Sequence, residues 1–260
     1  VLPYFRKAED SDRGASEWHG TGGPLSTTRR MLPHVLNNAF IDAAVEDGWP
    51  RTDDFNGAQF EGAGSYDSTI RDGQRWSASR AYLTPEVRRR PNLKIITGAL
   101  AERVLFEGKR AVGVAYSGGQ VVRARKVVLC GGAVNSPQLL LLSGIGPGKQ
   151  LQGLGIEVVA DRAQVGENLQ DHLDALVQWK CNQPITLNAN TRPLVKLMAG
   201  LNWIFRKSGN ASYMPTAAGA FVSTREGLAA PDIQMHFMPV MGMAHGVGGL
   251  QPEHGYQVHV

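Results

Sequence analysis

The segment at residues 126–146 constrains the fold of this chain more than any other, because three structural elements follow one another there without a linker. It opens with a short apolar run, Val-Val-Leu-Cys at 127–130, which predicts a strand buried on both faces. Gly131 and Gly132 follow, and two adjacent glycines mark a point where the backbone turns tightly or approaches another group closely. The segment therefore predicts a buried strand that ends in a glycine turn.

A helix is predicted to begin directly after that turn. Ser136 is suited to the N-cap and Pro137 to the first helical position. A run of leucines at 139–142 forms the body, and Gly144 ends the helix. A buried strand, a glycine turn and a helix N-terminus together can hold an anionic or dinucleotide ligand. The same arrangement also serves simply to turn a corner, and the residues alone leave both interpretations open.

Three motifs in this sequence resemble those of a known enzyme family. The segment GAVNSPQLLLLSGIG at 132–146 resembles the second signature of the glucose-methanol-choline (GMC) oxidoreductases. The segment VGENLQDH at 165–172 resembles a further motif of that family, and so do RWSA and AYL between residues 75 and 83. The chain is most similar to the choline-dehydrogenase-like branch, and the family consists of flavoenzymes that oxidise alcohols.

The resemblance implies an α/β (mixed α+β) fold made of two partial domains. Residues 1–172 are expected to form part of an FAD-binding domain of the Rossmann type, with a β-meander and connecting segments. Residues 173–260 are expected to form part of a substrate-binding domain built on an antiparallel sheet. The family's GxGxxG motif does not occur in the sequence, and its catalytic His is expected beyond residue 260. We therefore expect a central piece of a longer protein.

Local patterns predict the individual elements. Helices are predicted at 1–10, 33–48, 85–89, 149–154 and 193–205. Strands are predicted at 93–97, 102–106, 111–116, 120–125, 156–159, 175–181, 219–223, 232–238 and 256–260. The stretch at 13–26 is predicted to be loop and that at 53–72 to be irregular, since both are rich in glycine and polar residues.

The resemblance also assigns candidate cofactor-binding residues. Gly131 and Gly132 are expected to bring the backbone close to the diphosphate or ribose of FAD, and their alternative role is turn formation alone. Ala101 occupies the position where the family has a residue whose backbone meets the adenine. Ser136 is expected to act first as a helix cap and second as a flavin contact. No catalytic residue is expected within this chain.

Histidines and cysteines lead to weaker expectations. Asp171 and His172 end the NLQDH motif, and we expect a structural role for both because the family places its base elsewhere. His236 is predicted to lie on a strand face, where it either lines the substrate cavity or faces solvent. No metal site is expected, because the remaining candidates lack the spacing of metal ligands. These candidates are Cys130, Cys181, His245, His254 and His259.

One departure from the choline-specific members bears on the substrate. Those members carry a glutamate, which meets the quaternary ammonium group, just before the Gly-Phe strand. Ala217 stands at that position here, in the segment PTAAGAF at 215–221. Without the glutamate, a cationic substrate loses a charge partner worth about 1–3 kcal/mol. We therefore expect a neutral primary alcohol rather than choline.

Composition bears on other classes of protein. The formal net charge is only +4, and we interpret the main basic cluster, at residues 88–90, as a solvated helix end rather than a nucleic-acid patch. No apolar run approaches the roughly 18–20 residues of a membrane span. Two cysteines make no disulfide framework, and the first residues lack the shape of a signal peptide. A cytoplasmic location is therefore expected.

The functional expectation is an FAD-dependent oxidoreductase that oxidises a primary alcohol. A hydride passes from the alcohol carbon to flavin N5 while a base removes the hydroxyl proton. The partner is a small-molecule alcohol rather than a nucleic acid, and the electron acceptor is not predicted. Two alternatives stay open. The isolated piece is a non-catalytic scaffold that retains no flavin, or the whole protein is a lyase of the same family.

Overall fold

The computed structural model describes residues 1–29, 33–242 and 249–260. Contacts within the chain divide it into unit 1, which comprises residues 1–90 and 173–260, and unit 2, which comprises residues 91–172. The helices of the described residues are α1 (Leu2–Ala8), α2 (Val35–Glu46), α3 (Ala78–Tyr82), α4 (Pro85–Arg88), α5 (Gly132–Leu142), α6 (Gly148–Gly153) and α7 (Pro193–Arg206). The strands are β1 (Glu9–Ser11), β2 (Leu25–Thr27), β3 (Arg51–Thr52), β4 (Gly62–Ser65), β5 (Ile70–Arg71), β6 (Gln74–Arg75), β7 (Ala101–Glu107), β8 (Arg110–Tyr116), β9 (Gln120–Arg123), β10 (Ile145–Gly146), β11 (Ala160–Asp161), β12 (Leu176–Lys180), β13 (Ala218–Val222), β14 (Ile233–Met238) and β15 (Gly255–His259).

Unit 1 is built on a six-stranded sheet in the order β12-β15-β14-β13-β4-β3. Neighbouring strands are antiparallel except β3 and β4, which run parallel. Strand β14 alternates apolar and polar side chains, so that Ile233, Met235 and Phe237 pack into one core. Helix α2 covers this core with Ile41, and Phe40 stacks on Phe237 with ring centroids 4.9 Å apart. The predicted antiparallel sheet is confirmed.

Residues 53–72 contribute strand β4 to this sheet, so the prediction that they are irregular is wrong in part. The strand Gly-Ala-Gly-Ser has no hydrophobic alternation, and pairing with β13 stabilises it instead. Small residues are required there, because a Cβ on Gly64 would collide with the backbone of Thr52 on β3. The strand conformation therefore depends on tertiary contacts rather than on local propensity.

Unit 2 contains the predicted meander, an antiparallel sheet in the order β7-β8-β9. Tight turns join its strands, and Gly108 and Gly118 supply φ angles of 58° and 78° at those turns. Helix α5 packs against β7, where the Ser143 hydroxyl oxygen accepts a hydrogen bond from the Val104 backbone N–H at 2.8 Å. The meander and helix α6 confirm the predictions for residues 102–123 and for the helix at 149–154.

Three predicted strands of unit 2 form no ladder among the described residues. They are the segments at 93–97, 127–130 and 156–159. Val128 is 74% exposed, although the strand at 127–130 was expected to be buried on both faces, and Ile96 in the segment at 93–97 is 44% exposed. A strand needs a neighbour for its backbone hydrogen bonds, and the described residues provide none beside these segments. Residues 156–159, which the structure describes, do not form the predicted strand. The two residues that follow them form β11, which pairs in parallel with β10.

Helix α5 begins before the predicted N-cap, so the predicted start is wrong. Gly131 is the N-cap, and Pro137 lies inside the helix rather than at its first position. The Ser136 hydroxyl oxygen accepts a hydrogen bond from the Gly131 N–H at 2.9 Å. This hydrogen bond spans the first turn of the helix, which begins before Ser136. Because Pro137 lies close to the helix start, its missing N–H removes a single helical hydrogen bond.

The two units differ in composition from the two predicted domains. Residues 1–172 were predicted to form one domain, whereas residues 1–90 pack with 173–260 in unit 1. The reason is the sheet, since β3 and β4 from the first part complete a sheet whose other strands come from the last part. The flavin role and the substrate role assigned to the two parts stay predictions.

Candidate functional site

The candidate cofactor site is the N-terminal end of α5 in unit 2. Gly131 is the N-cap and, as a glycine, it provides no side-chain cap. The first backbone amides of a helix carry a partial positive charge, which stabilises an anion such as a diphosphate. Residues 131–135 are all exposed. The backbone at this end of the helix is therefore accessible to a ligand.

Gly132 leaves open space over that backbone. Its φ of 83° lies in the left-handed region that favours glycine. A Cβ on Gly132 would have no described atom within 4 Å, whereas a Cβ on Gly131 would lie 3.2 Å from Asn135 Cβ. The corner therefore fits the close approach of an FAD diphosphate or ribose. Ser136 is engaged with the Gly131 N–H, and its contact with flavin stays a prediction.

Ala101, the candidate adenine contact, is the first residue of β7 and is exposed. It lies opposite Tyr116 in the ladder, and the register shifts directly after it. The backbone N–H of Ser117 donates to the Leu100 carbonyl oxygen at 2.9 Å, and the Leu100 N–H donates to the Ser117 hydroxyl oxygen at 2.7 Å. Neighbouring residues thus fix the backbone at this strand end. A contact of Ala101 with adenine stays a prediction.

A buried charged cluster lies in unit 1, within the stretch predicted only as loop. His19 is 4% exposed, and its Nδ1 is 3.1 Å from Glu9 Oε2 while its Nε2 is 2.8 Å from Asp54 Oδ2. Glu9 also accepts hydrogen bonds from the Gly20 N–H at 3.0 Å and from the Thr27 hydroxyl at 2.8 Å. This cluster was not predicted, because a single histidine and acidic residues far from it in sequence show no characteristic spacing.

The cluster favours a protonated imidazole. Burial opposes protonation, but hydrogen bonds to Asp54 and Glu9 outweigh burial and raise the pKa of His19 above its ordinary value of 6.5. Burial also opposes ionisation of Asp54, yet the hydrogen bonds from His19 and from the Asn56 N–H lower the pKa of Asp54 below 3.8. Each ring nitrogen of His19 faces a carboxylate oxygen, an arrangement that favours the imidazolium form.

The same cluster contains side chains of metal-ligating type. Ligand atoms of His19, Asp54 and Asp67 all lie within 4.8 Å of one another. Arg13 donates to both carboxylate oxygens of Asp67, from Nε at 2.9 Å and from Nη2 at 2.8 Å. A metal ion there would face a guanidinium and an imidazolium, and these groups already neutralise the carboxylates. We therefore assign the cluster a structural role rather than metal binding.

The other histidines singled out from the sequence lie in different surroundings. The Asp171 carboxylate accepts a hydrogen bond from the backbone N–H of His172 at 2.8 Å, so this contact does not orient the imidazole ring. The His236 ring stacks on Tyr66 with centroids 5.1 Å apart. His254 Nδ1 is 2.7 Å from the Thr186 hydroxyl, and His259 Nδ1 is 3.0 Å from Asp174 Oδ2. His245 lies outside the described residues.

Ala217, the position that the resemblance links to substrate choice, contacts Tyr66 in unit 1. Ala217 directly precedes β13 and is 3% exposed, and its carbonyl oxygen accepts a hydrogen bond from the Tyr66 N–H at 3.0 Å. The Tyr66 hydroxyl donates to the Met235 carbonyl oxygen at 2.8 Å. Burial raises the pKa of Tyr66 to about 12. The phenol is therefore a neutral hydrogen-bond donor across the physiological pH range.

Comparisons with known proteins show what the chain is similar to. A family profile described as GMC oxidoreductase matches residues 1–174. Human mitochondrial choline dehydrogenase is 48% identical over 263 residues, which cover 100% of this chain and 44% of the human protein. The oxygen-dependent choline dehydrogenase of Brucella anthropi is 45% identical over 264 residues, which cover 100% of this chain and 48% of that protein. The chain thus spans less than half the length of these relatives.

Solved structures share the fold. Pyridoxine 4-oxidase from Mesorbium loti superimposes with a TM-score of 0.80 at 29% identity, over 99% of this chain and 48% of that one. A formate oxidase superimposes with a TM-score of 0.84 over 100% of this chain and 51% of that one. Its 20% identity means that this second likeness concerns the fold alone. The predicted mixed α/β fold is confirmed.

One expectation about location is corrected by these relatives. The human and mouse choline dehydrogenases, each 48% identical to this chain, are mitochondrial, so the cytoplasmic prediction is wrong. Cysteine content and the first residues describe only this part of the sequence and do not specify a compartment. In the part of the chain that the structure describes, no helix combines the length and apolarity that crossing a membrane requires.

Proposed function

Because the chain belongs to the GMC oxidoreductase family, we propose that the whole protein is an FAD-dependent oxidoreductase that oxidises a primary alcohol. The observation that carries this proposal is the open glycine corner at the start of α5, within the segment that resembles the family signature. Identity of 45–48% to choline dehydrogenases along the whole chain supports alcohol oxidation. The activity is assigned to the whole protein, since this chain spans less than half of those relatives.

In this proposal, unit 2 holds the dinucleotide mainly through its backbone. The amides at the N-terminus of α5 face the diphosphate, and Gly132 leaves the room for it. Ala101 presents its backbone to the adenine, and Ser136 fixes the corner through the Gly131 N–H. FAD, when bound, supplies the hydride acceptor at N5, which protein side chains cannot supply.

The unpaired segments of unit 2 support the same assignment. Residues 93–97 precede the meander and residues 127–130 follow it, and both carry exposed apolar side chains. Such runs are typical of parallel strands buried on both faces. We infer that strands elsewhere in the whole protein pair with them and complete the sheet beside the glycine corner.

The substrate is proposed to be a neutral primary alcohol. Ala217 occupies the position where choline-specific members carry a glutamate, and it is buried directly before β13. A methyl group there gives a quaternary ammonium ion no charge partner. Desolvating such a cation without a partner is costly, whereas a neutral alcohol carries no such cost.

Substitution at Ala217 tests this substrate assignment. In the whole protein, Ala217→Glu is expected to raise the ratio of kcat/KM for choline to that for a neutral primary alcohol by about fivefold or more, because a charge partner contributes about 1–3 kcal/mol. Ala217→Gln matches the size without the charge and should leave the ratio unchanged. Thermal unfolding of both variants checks that the buried position tolerates the longer side chain. A wild-type protein that already prefers choline contradicts the assignment.

The activity itself is tested on the purified whole protein. We expect visible flavin absorbance, and reduction of an artificial electron-accepting dye when a primary alcohol is added. A preparation without flavin absorbance contradicts the proposed cofactor. A flavin-containing protein that reduces no dye with any alcohol contradicts oxidation and favours the lyase alternative.

A further inference from the structure

The turn at residues 54–57 contains the one Asn-Gly pair in the sequence, Asn56-Gly57. The Gly57 backbone N–H donates to the Asp54 carbonyl oxygen at 3.3 Å, which closes a β-turn with Asn56 in its third position. Phe55, the second residue of the turn, is 7% exposed and anchors it in unit 1. Asn56 is exposed. The side-chain amide of Asn56 is therefore accessible to water at the tip of a tight turn.

An Asn-Gly pair in such a turn can react internally. The Gly57 nitrogen loses its proton and forms a bond to the Asn56 side-chain carbon Cγ, while Nδ2 takes up a proton and leaves as ammonia. Water then opens the resulting cyclic imide at either carbonyl, which yields aspartate or isoaspartate at position 56. The reaction consumes water and needs no oxidant or reductant. Glycine favours the attack, since no side chain shields its nitrogen.

The hydrogen bond that holds the attacking nitrogen is weak. At 3.3 Å from the Asp54 carbonyl oxygen, the Gly57 nitrogen lies beyond the ordinary range of about 2.7–3.2 Å for an N–H···O hydrogen bond. Local opening of a surface turn costs far less free energy than unfolding of the whole protein. The Gly57 nitrogen is therefore free to approach the Asn56 side chain while the rest of the protein stays folded.

The pair Asn135-Ser136 provides a comparison within the same chain. Asn135 is also exposed, and serine is a small residue. This pair lies within α5, however, where helical hydrogen bonds fix the backbone. Exposure alone is thus shared by both pairs, whereas the turn conformation distinguishes Asn56-Gly57.

The cluster around His19 explains why glycine follows Asn56 despite this reactivity. A Cβ on Gly57 would lie 2.9 Å from Asp54 Oδ2, and that oxygen is 2.8 Å from His19 Nε2. Any other residue at position 57 would push the Asp54 carboxylate away from His19. The Asp54 Oδ1 atom in turn accepts a hydrogen bond from the Asn56 backbone N–H at 2.9 Å. Both residues of the reactive pair therefore adjoin the Asp54 carboxylate.

We propose that Asn56 deamidates spontaneously in the folded protein through attack by the Gly57 nitrogen. The product brings a carboxylate next to Asp54, and the isoaspartate form also adds one methylene carbon to the backbone of the turn. A second negative charge disfavours the ionised form of Asp54. The modification therefore weakens the pairing of Asp54 with His19 and loosens the turn. It does not depend on the proposed flavin function.

The test incubates the whole protein at mildly alkaline and at mildly acidic pH, and follows its peptides by mass spectrometry after digestion in acid. The peptide with Asn56 is expected to gain one mass unit, faster in alkali because the attacking nitrogen must lose a proton. Enzymatic methylation of isoaspartate identifies that product. The peptide with Asn135 should keep its mass. Asn56→Gln has a longer side chain that disfavours ring closure, and it should abolish the gain.

The structural consequence is measured separately by hydrogen exchange. Asn56→Asp provides the aspartate product directly, and the backbone amides of residues 52–57 should exchange faster in this variant than in the wild type. Asn182→Asp is the matched control, because it adds the same charge at another exposed position of unit 1. That control should leave the exchange of residues 52–57 unchanged.

Two outcomes overturn the proposal. One is a native protein whose Asn56 peptide keeps its mass under conditions in which the urea-unfolded protein gains mass, because the folded protein then protects the pair. The other is an Asn56→Asp variant that exchanges like the wild type, because the added charge then leaves the turn intact. Neither measurement involves turnover or flavin, so both are independent of the test of the proposed function.

Discussion

Replacement of His19 by glutamine is expected to lower the free energy of unfolding of the whole protein by about 3 kcal/mol near neutral to mildly acidic pH. His19 is 4% exposed, and its two ring nitrogens face the carboxylates of Glu9 and Asp54. Glutamine removes the positive charge and cannot bridge both carboxylates. The loss falls at the lower end of the range for a broken buried ion pair, because the Glu9 and Asp54 side chains are 17% and 23% exposed.

The decrease in the free energy of unfolding caused by His19→Gln is expected to depend on pH and to be smaller in alkali. Despite burial, hydrogen bonds to Asp54 and Glu9 raise the pKa of His19 above 6.5, so its contribution is fully present below that pH and is lost as the pH rises through the folded-state pKa. Despite burial, the hydrogen bond from His19 lowers the pKa of Asp54 below 3.8. The contribution of Asp54 to the free energy of unfolding is therefore present above pH 3.8 and is lost as the pH falls through the folded-state pKa. The difference between wild type and variant is therefore largest between these limits and shrinks in alkali.

Thermal unfolding followed by circular dichroism across this pH range measures both effects. For a protein more than twice the length of this chain, as the choline dehydrogenase relatives are, a loss of about 3 kcal/mol corresponds to a fall in melting temperature of roughly 2–3 °C. His172→Gln is the matched control, because that histidine is exposed, and its melting temperature should equal that of the wild type. A His19→Gln protein that melts with the wild type at every pH contradicts the ion-paired cluster.

Replacement of Gly132 by valine is expected to leave the whole protein almost free of flavin. A β-branched residue at a φ of 83° is strained, and its side chain would occupy the space over the corner that the diphosphate needs. The corner is expected to relax away from this strained conformation, which costs about 2 kcal/mol, and restoring the binding conformation then weakens FAD binding by about 30-fold. The ratio of flavin absorbance to protein absorbance, measured on the purified whole protein, gives the occupancy.

Gly155→Val separates a local effect at the corner from a loss of folding. Gly155 also has a positive φ, 72°, and open space around its Cβ position, but it lies in the turn after α6. Valine at Gly155 therefore introduces similar strain and should leave the flavin content near that of the wild type. Equal flavin loss in both variants, or full flavin in Gly132→Val, contradicts a role of this corner in cofactor binding.

Elements with a strong local signal were predictable from the sequence. The meander was found because short alternating runs are separated by Gly-containing turns at 107–109 and 117–119, and those turns have few alternative conformations. Helices α2 and α7 were found because their apolar residues recur at helical spacing. The start of α5 was predicted too late, because Ser136 and Pro137 match a standard helix start, whereas the N-cap is Gly131 and the Ser136 hydroxyl accepts a hydrogen bond from the Gly131 N–H.

The candidate site was only partly accessible to sequence analysis. Gly131 and Gly132 stood out because adjacent glycines after an apolar run are a local feature. The cluster around His19 was not recognisable from the sequence. Glu9, His19 and Asp54 are far apart in the chain and come into contact only in the folded protein. No spacing rule connects residues whose proximity depends on how a loop packs.

The linear sequence was sufficient to identify the family, the mixed α/β class and the glycine corner, because motifs, turns and helical periodicity depend on residues close together in the chain. Tertiary structure was needed to reveal that β3 and β4 join the sheet of residues 173–260, that His19 lies between two carboxylates, and that α7 turns its apolar side outward. These three features depend on contacts between distant residues. Burial and hydrogen-bond partners, rather than local propensity, determine which of those contacts form.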